Sequence, residues 1–218
     1  MTTSSRHASP PAHAAGTLSY LALGDSYTIG EGIDAADRWP TRLAARLRSD
    51  GIPLADPHVI ATTGWTTDEL QAAIAAQSPA PHDFVSLLVG VNNQYRGRSL
   101  QDYRRQFADL LGHAIWLAGG RADRVLVLAI PDWGLTPFGA ASGRDRTLIS
   151  SELQLYNTAA RTICDGRGVA FVDIGTIYRE HAAEPAMLAD DGLHPSAAMH
   201  ALWTDAALPV ARRLLAHG

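Results

Sequence analysis

The sequence predicts an α/β fold, a three-layer sandwich with five parallel strands in the middle. Three observations carry that expectation. Five short apolar runs are spaced along the chain, segments of helical periodicity lie between them, and glycine or proline punctuates the joins. Strands that alternate with helices pair in parallel through right-handed crossovers, which puts helices on both faces of the sheet.

The elements follow in order. LSYLALG at 18–24 is apolar throughout and ends in glycine, as a strand buried on both faces does. A short helix is expected after Ser26. DRWPTRLAARLRSDG at 37–51 places Leu43 and Leu47 four apart and stops at Gly51. HVIATTG at 58–64 is the second strand. TTDELQAAIAAQ at 66–77 opens on a Thr66-to-Glu69 capping box and continues as helix. DFVSLLVG at 83–90 is the third strand. A long helix over 99–120 repeats Leu100, Tyr103, Phe107, Leu110, Leu111, Ala114 and Leu117 on one face, then meets Gly119 and Gly120. RVLVLAIP at 124–131 is the fourth strand, closed by Pro131. A helix over 146–168 and the fifth strand at 169–174 follow. After a less regular stretch, 195–218 closes as helix, with Pro209 inside it to kink or split it.

The chain has 218 residues, 46% hydrophobic and 18% charged, which suits one domain with a substantial core. Residues 1–17, rich in Ser, Thr, Ala and Pro, are expected to be a flexible lead-in without the apolar stretch of a secretory signal, with a single domain over 18–218. No apolar run approaches the ~20 residues that span a bilayer, so no stable membrane insertion is expected. The net charge is -4 and the arginines are scattered, so no nucleic-acid partner is expected. Cys164 is the only cysteine, which excludes an internal disulfide and leans toward the cytoplasm. It sits near a helix end and reads as a buried thiol rather than a nucleophile. Nothing in the sequence sets an oligomeric state.

In open parallel sheets ligands bind outside the carboxyl ends of the strands. That rule gathers Ser26, Gly64, Gly90 to Asn93 and the loop after Pro131 on one rim. Ser26 follows the first strand, so its hydroxyl can face the cleft or merely cap the next helix. A serine nucleophile needs a base, and the base an orienting group. DDGLHPS at 190–196 offers both: His194 follows Asp191 by three residues, and Pro195 stiffens the loop. His200, six residues on, is a weaker base. Acyl transfer also needs donors for the oxyanion. Asn92 in GVNNQ and the N–H of Gly64 in TTGWT are candidates, although Gly and Asn are also ordinary turn residues.

Four ordered blocks, GDS at 24–26, Gly64 in TTGWT, Gly90-Val91-Asn92 and DGLHP at 191–195, resemble the GDSL hydrolases, also called the SGNH family. The resemblance spans 24–195 and implies a flavodoxin-like sandwich with a five-stranded parallel sheet. It implies Ser26 as nucleophile, His194 as general base and acid, and Asp191 as the group that orients His194. It implies an oxyanion hole of the Ser26 N–H, the Gly64 N–H and the Asn92 side chain, and chemistry without metal or organic cofactor. Tyr27 replaces the leucine of the family's name, and Asn93 stands where many members carry aspartate.

The resulting expectation is a serine esterase that acts on small carboxylic esters, with short acyl chains favoured because no long apolar lid is visible. A lysophospholipase or thioesterase of the same family, or a binding module that kept the cleft, are the alternatives. A flavin or nucleotide binder fits poorly, because GDSYTIGEG has neither GxGxxG spacing nor a Walker lysine. A metal hydrolase fits poorly too, for want of HExxH or a Cys/His cluster at ligand spacing. Trp133 and Phe138, in the loop after the fourth strand, either line a substrate pocket or pack against the body. Arg96 and Arg98 either touch an anionic substrate or stay solvated.

Overall fold

A computed structural model describes residues 16–216. The lead-in expected over 1–17 lies almost wholly outside the described residues. Hydrogen bonding to the body starts at Leu18, whose N–H donates to the Pro53 carbonyl at 2.8 Å.

The sheet is five-stranded and all parallel, in the order β2-β1-β3-β4-β5, with β1 at Tyr20–Gly24, β2 at His58–Ala61, β3 at Phe84–Leu88, β4 at Val125–Leu128 and β5 at Ala170–Val172. Every strand is shorter than its apolar run. The flanking residues leave the ladder to make the rim: in the run at 58–64, for example, the Trp65 N–H turns back to the Thr62 carbonyl at 3.2 Å. Central β1 is buried along its whole length, which is why its sequence does not alternate. Its one polar tip, the Tyr20 hydroxyl, pairs with Ser86 Oγ of β3 at 2.9 Å.

The helices are α1 (Ser26–Ile29), α2 (Trp39–Ser49), α3 (Thr67–Gln77), α4 (Val91–Tyr95), α5 (Leu100–Leu117), α6 (Pro137–Ala141), α7 (Arg146–Asp165), α8 (Gly175–His181) and α9 (Ala197–Leu215). Helices α2, α8 and α9 pack as one group, and α3, α5 and α7 as the other. The capping box of α3 is present: the Glu69 carboxylate accepts the Thr66 N–H at 2.9 Å. Helix α5 ends at Leu117, two residues before the first of its glycines, and Gly120 at φ 80° turns its N–H back to the Ile115 carbonyl.

Two sequence expectations are corrected. The irregular stretch after β5 contains α8, a helix too short for periodicity to reveal; Asp173, one residue before its cap position, accepts the N–H of the first helical residue, Gly175, at 2.8 Å. Pro209 does not split the last helix, which runs through it. Pro209 and Asp205 both lie on the exposed face, so water can satisfy the carbonyl that proline leaves without an amide partner.

Candidate active site

Ser26 is the first residue of α1 and follows β1 after one residue. The cap of that helix is Asp25, whose carboxylate accepts the Tyr27 N–H at 3.1 Å. The serine hydroxyl is therefore not needed as a cap. Gly24 is required by space: a Cβ there would sit 2.1 Å from Thr28 Oγ1 and 2.5 Å from the Leu88 carbonyl. The tight β1–α1 joint follows from that contact. Asp25 is fully buried, and burial pushes its carboxyl up to about 7 against the pull of backbone N–H groups at Tyr27 and Gly90.

His194 lies on the loop between α8 and α9. Its Nδ1–H donates to Asp191 Oδ2 at 2.5 Å, and the other carboxylate oxygen accepts the N–H groups of Leu193 and His194, each at 2.9 Å. One carboxylate thus fixes both the loop and the ring. Burial alone would raise the Asp191 pKa, but the His194 ring and those two amides outweigh it and hold the carboxyl below its ordinary value. The Tyr27 ring meets the imidazole edge-on, 6.0 Å between centroids. The residue that departs from the leucine of the family's name therefore packs on the histidine.

The second histidine is out of the site. His200 is buried in α9, and its Nδ1 accepts the Trp39 N–H at 3.1 Å. Burial, with Arg42 and His194 adding to it, lowers its pKa to about 3. It stays neutral and ties α9 to α2.

Gly64 adopts φ 87°, a conformation that favours glycine, and its N–H has no hydrogen-bond partner among the described residues. Asn92 lies in α4, just after Gly90. One hydrogen of its amide goes to the Trp65 carbonyl at 3.0 Å, which leaves the second available. Asn93 is buried and spends its amide on Thr67: Oδ1 accepts the Thr67 N–H at 3.0 Å and Nδ2 donates to Thr67 Oγ1 at 2.7 Å. The support that Asn93 itself gives is neutral.

Ser26, Gly64, Asn92, Trp133, Phe138 and His194 all line one cavity of about 210 Å³. Asp191 stands behind His194. Trp133 does both things the sequence left open: it is buried in the body and it walls the cavity. Its indole N–H donates to Gln94 Oε1 at 2.8 Å, and the Arg144 guanidinium lies 5.2 Å from its ring. Phe138 is half-buried and meets Trp133 edge-on at 6.0 Å. Sequence reasoning missed Tyr95, which lines the same cavity; it lies three residues after Asn92, one helical turn along the same face of α4. Arg96 and Arg98 do not point into the cavity. Arg96 pairs with Glu69 and Arg98 with Asp68. Cys164 is buried, and burial pushes its thiol up to about 12, as for an inert core thiol.

The class is thus a parallel three-layer α/β protein with serine, histidine and amide donors around one cavity at the sheet's carboxyl rim. Residues 22–202 match the GDSL-like Lipase/Acylhydrolase family, and the chain belongs to that family. It is a carboxylic ester hydrolase and acts on small-molecule esters. No curated relative matches the sequence. Solved structures share the fold at low identity. TesA has a TM-score of 0.68 at 19% identity, covering 90% of this chain and 99% of its own. The psychrotrophic esterase EstA from Pseudoalteromonas sp. has 0.66 at 14%, covering 91% and 99%. The acetylxylan esterase Axe2 from Geobacillus stearothermophilus has 0.68 at 20%, covering 90% and 95%. Among the described residues no helix is long and apolar enough to cross a membrane.

Proposed function

We propose that this protein hydrolyses short-acyl carboxylic esters through an acyl-enzyme on Ser26. His194 Nε2 takes the hydroxyl proton as Oγ bonds to the ester carbon. The oxyanion that forms is met by the Ser26 and Gly64 N–H groups and the Asn92 amide. His194 then protonates the leaving alcohol, the C–O bond breaks, and an acyl-serine remains. Water, deprotonated by the same His194, attacks that ester, and the proton returns to Ser26 as the acid departs. Asp191 holds the ring with Nε2 unprotonated and stabilises the imidazolium of each step.

The observation that carries this reading is the 2.5 Å contact of Asp191 with the far nitrogen of a histidine that shares a cavity with Ser26. The size of that cavity supports the acyl preference. A dry cavity of roughly 150 Å³ accepts benzene, so about 210 Å³ walled by Trp133 and Phe138 suits an acyl group of a few carbons. The domain boundary near Leu18 belongs to the same proposal.

Intact mass after treatment with a small fluorophosphonate tests the nucleophile without requiring the right substrate. One adduct on the wild type and none on Ser26→Ala is the expected result. A folded wild type that takes up no adduct would overturn the reading.

A further inference from the structure

We infer that Arg96 is a positioning residue for the oxyanion hole, locking the glycine that presents one of its donors. This inference rests on the proposed role of Gly64.

Gly64 sits in a turn between β2 and α3. Glycine populates positive and negative φ about equally, so a glycine donor is free to rotate away unless something outside the turn holds it. A side chain at this position would meet only Arg96 Nη2, at 3.7 Å, so crowding does not fix the conformation. Hydrogen bonds do. Arg96 Nη2 donates to the Gly64 carbonyl at 2.6 Å, while Nη1 of the same guanidinium donates to Glu69 Oε1 at 3.0 Å. Glu69 is itself anchored, because its other oxygen caps α3 through the Thr66 N–H. The planar guanidinium thus bridges a fixed carboxylate and the Gly64–Trp65 peptide, whose N–H also closes the turn on the Thr62 carbonyl at 3.2 Å, a geometry that lysine would satisfy only in part.

The next carbonyl is held as well, since Trp65 O accepts the Asn92 amide at 3.0 Å. Both carbonyls after the Gly64 N–H are therefore drawn toward the α4 segment. A carbonyl that swung into the cavity would place a lone pair against a developing negative charge, the opposite of what the reaction needs. Arg98 is the internal comparison. It makes a similar ion pair, with Asp68 at 2.5 Å, but does not touch Gly64.

The loss expected on removing Arg96 falls on the transition state, because ester binding in the apolar cavity does not use the oxyanion donors fully. Arg96→Met should lower kcat by roughly 10- to 100-fold, less than outright loss of a donor, with KM within about twofold. Arg96→Lys should recover part of that loss, and Arg98→Met should keep kcat within about threefold. Thermal melting of each variant reports folding. Wild-type kcat in Arg96→Met would overturn the inference, and so would an equal loss in Arg98→Met, which would make it a matter of loop stability. Asn92→Ala run alongside separates the two levels. If it loses rate while Arg96→Met does not, only the Arg96 role fails. If neither loses rate, the oxyanion hole itself is wrongly assigned.

Discussion

The Asp191 carboxylate divides its oxygens between two tasks: Oδ2 holds the His194 ring at 2.5 Å, and Oδ1 holds the loop through two backbone N–H groups. Asp191→Asn should leave the loop bonds largely in place, because an amide oxygen can still accept them. It should disturb the ring, because the amide nitrogen cannot accept from Nδ1–H. We expect kcat to fall on the order of 10³- to 10⁴-fold with a near-normal melting temperature. Steady-state kinetics beside thermal melting checks both, and retention of more than a tenth of the activity would remove Asp191 from its role.

Asn92 lines the cavity and commits one amide hydrogen to the Trp65 carbonyl, which leaves the other available for the proposed oxyanion. Asn92→Ala should reduce kcat by roughly 100- to 1,000-fold. Turnover unchanged from wild type would exclude the side chain as an oxyanion donor.

Two buried groups tilt stability against pH in opposite directions. Asp25 has its pKa raised from 3.8 to about 7, chiefly by burial. Between those values the unfolded chain has released the proton and the folded one keeps it, so stability falls as pH rises through the window. His200 has its pKa lowered from 6.5 to about 3, again chiefly by burial. Between those values the unfolded chain binds a proton that the folded one refuses, so stability falls as pH drops. The windows overlap and the slopes oppose each other. Asp25→Asn should therefore expose the histidine slope, with melting temperature climbing from about pH 4 to 6.5. His200→Asn, which keeps an acceptor for the Trp39 N–H, should expose the aspartate slope, with melting temperature declining over the same range. Parallel profiles for the two variants would show that one of these groups titrates normally.

Trp133 closes the cavity on the side of Gln94 and Arg144. Trp133→Ala should lengthen the preferred acyl chain at a cost of about 3–5 kcal/mol in stability. Phe138→Ala, at a half-buried position, should widen the cavity with a smaller loss. Relative kcat/KM for acetyl to octanoyl esters of one chromogenic phenol gives the comparison. An unchanged chain-length profile in both variants would place the acyl group elsewhere.

Local chemistry wrote much of this protein into its sequence. Unbroken apolar runs such as Tyr20 to Leu23 specify strands buried on both faces. The Thr66-to-Glu69 box starts a helix, and the Asp191-to-His194 spacing, in a loop that holds Gly192, lets the carboxylate reach the imidazole. Such features depend on neighbours along the chain. The tertiary structure decided what depends on distant partners. Trp39 meets His200 across 161 positions, and that contact makes the second histidine a buried acceptor instead of a base. Asp25 is an ordinary turn residue in sequence, yet the fold buries it completely, and the loss of water moves its pKa. Arg96 looks like a solvated cation until the sheet order sets β2 and β3 on either side of β1 and brings its guanidinium to the Gly64 carbonyl. Hydrogen-bond geometry and desolvation act over a few ångströms, and only the folded chain determines which residues lie that close.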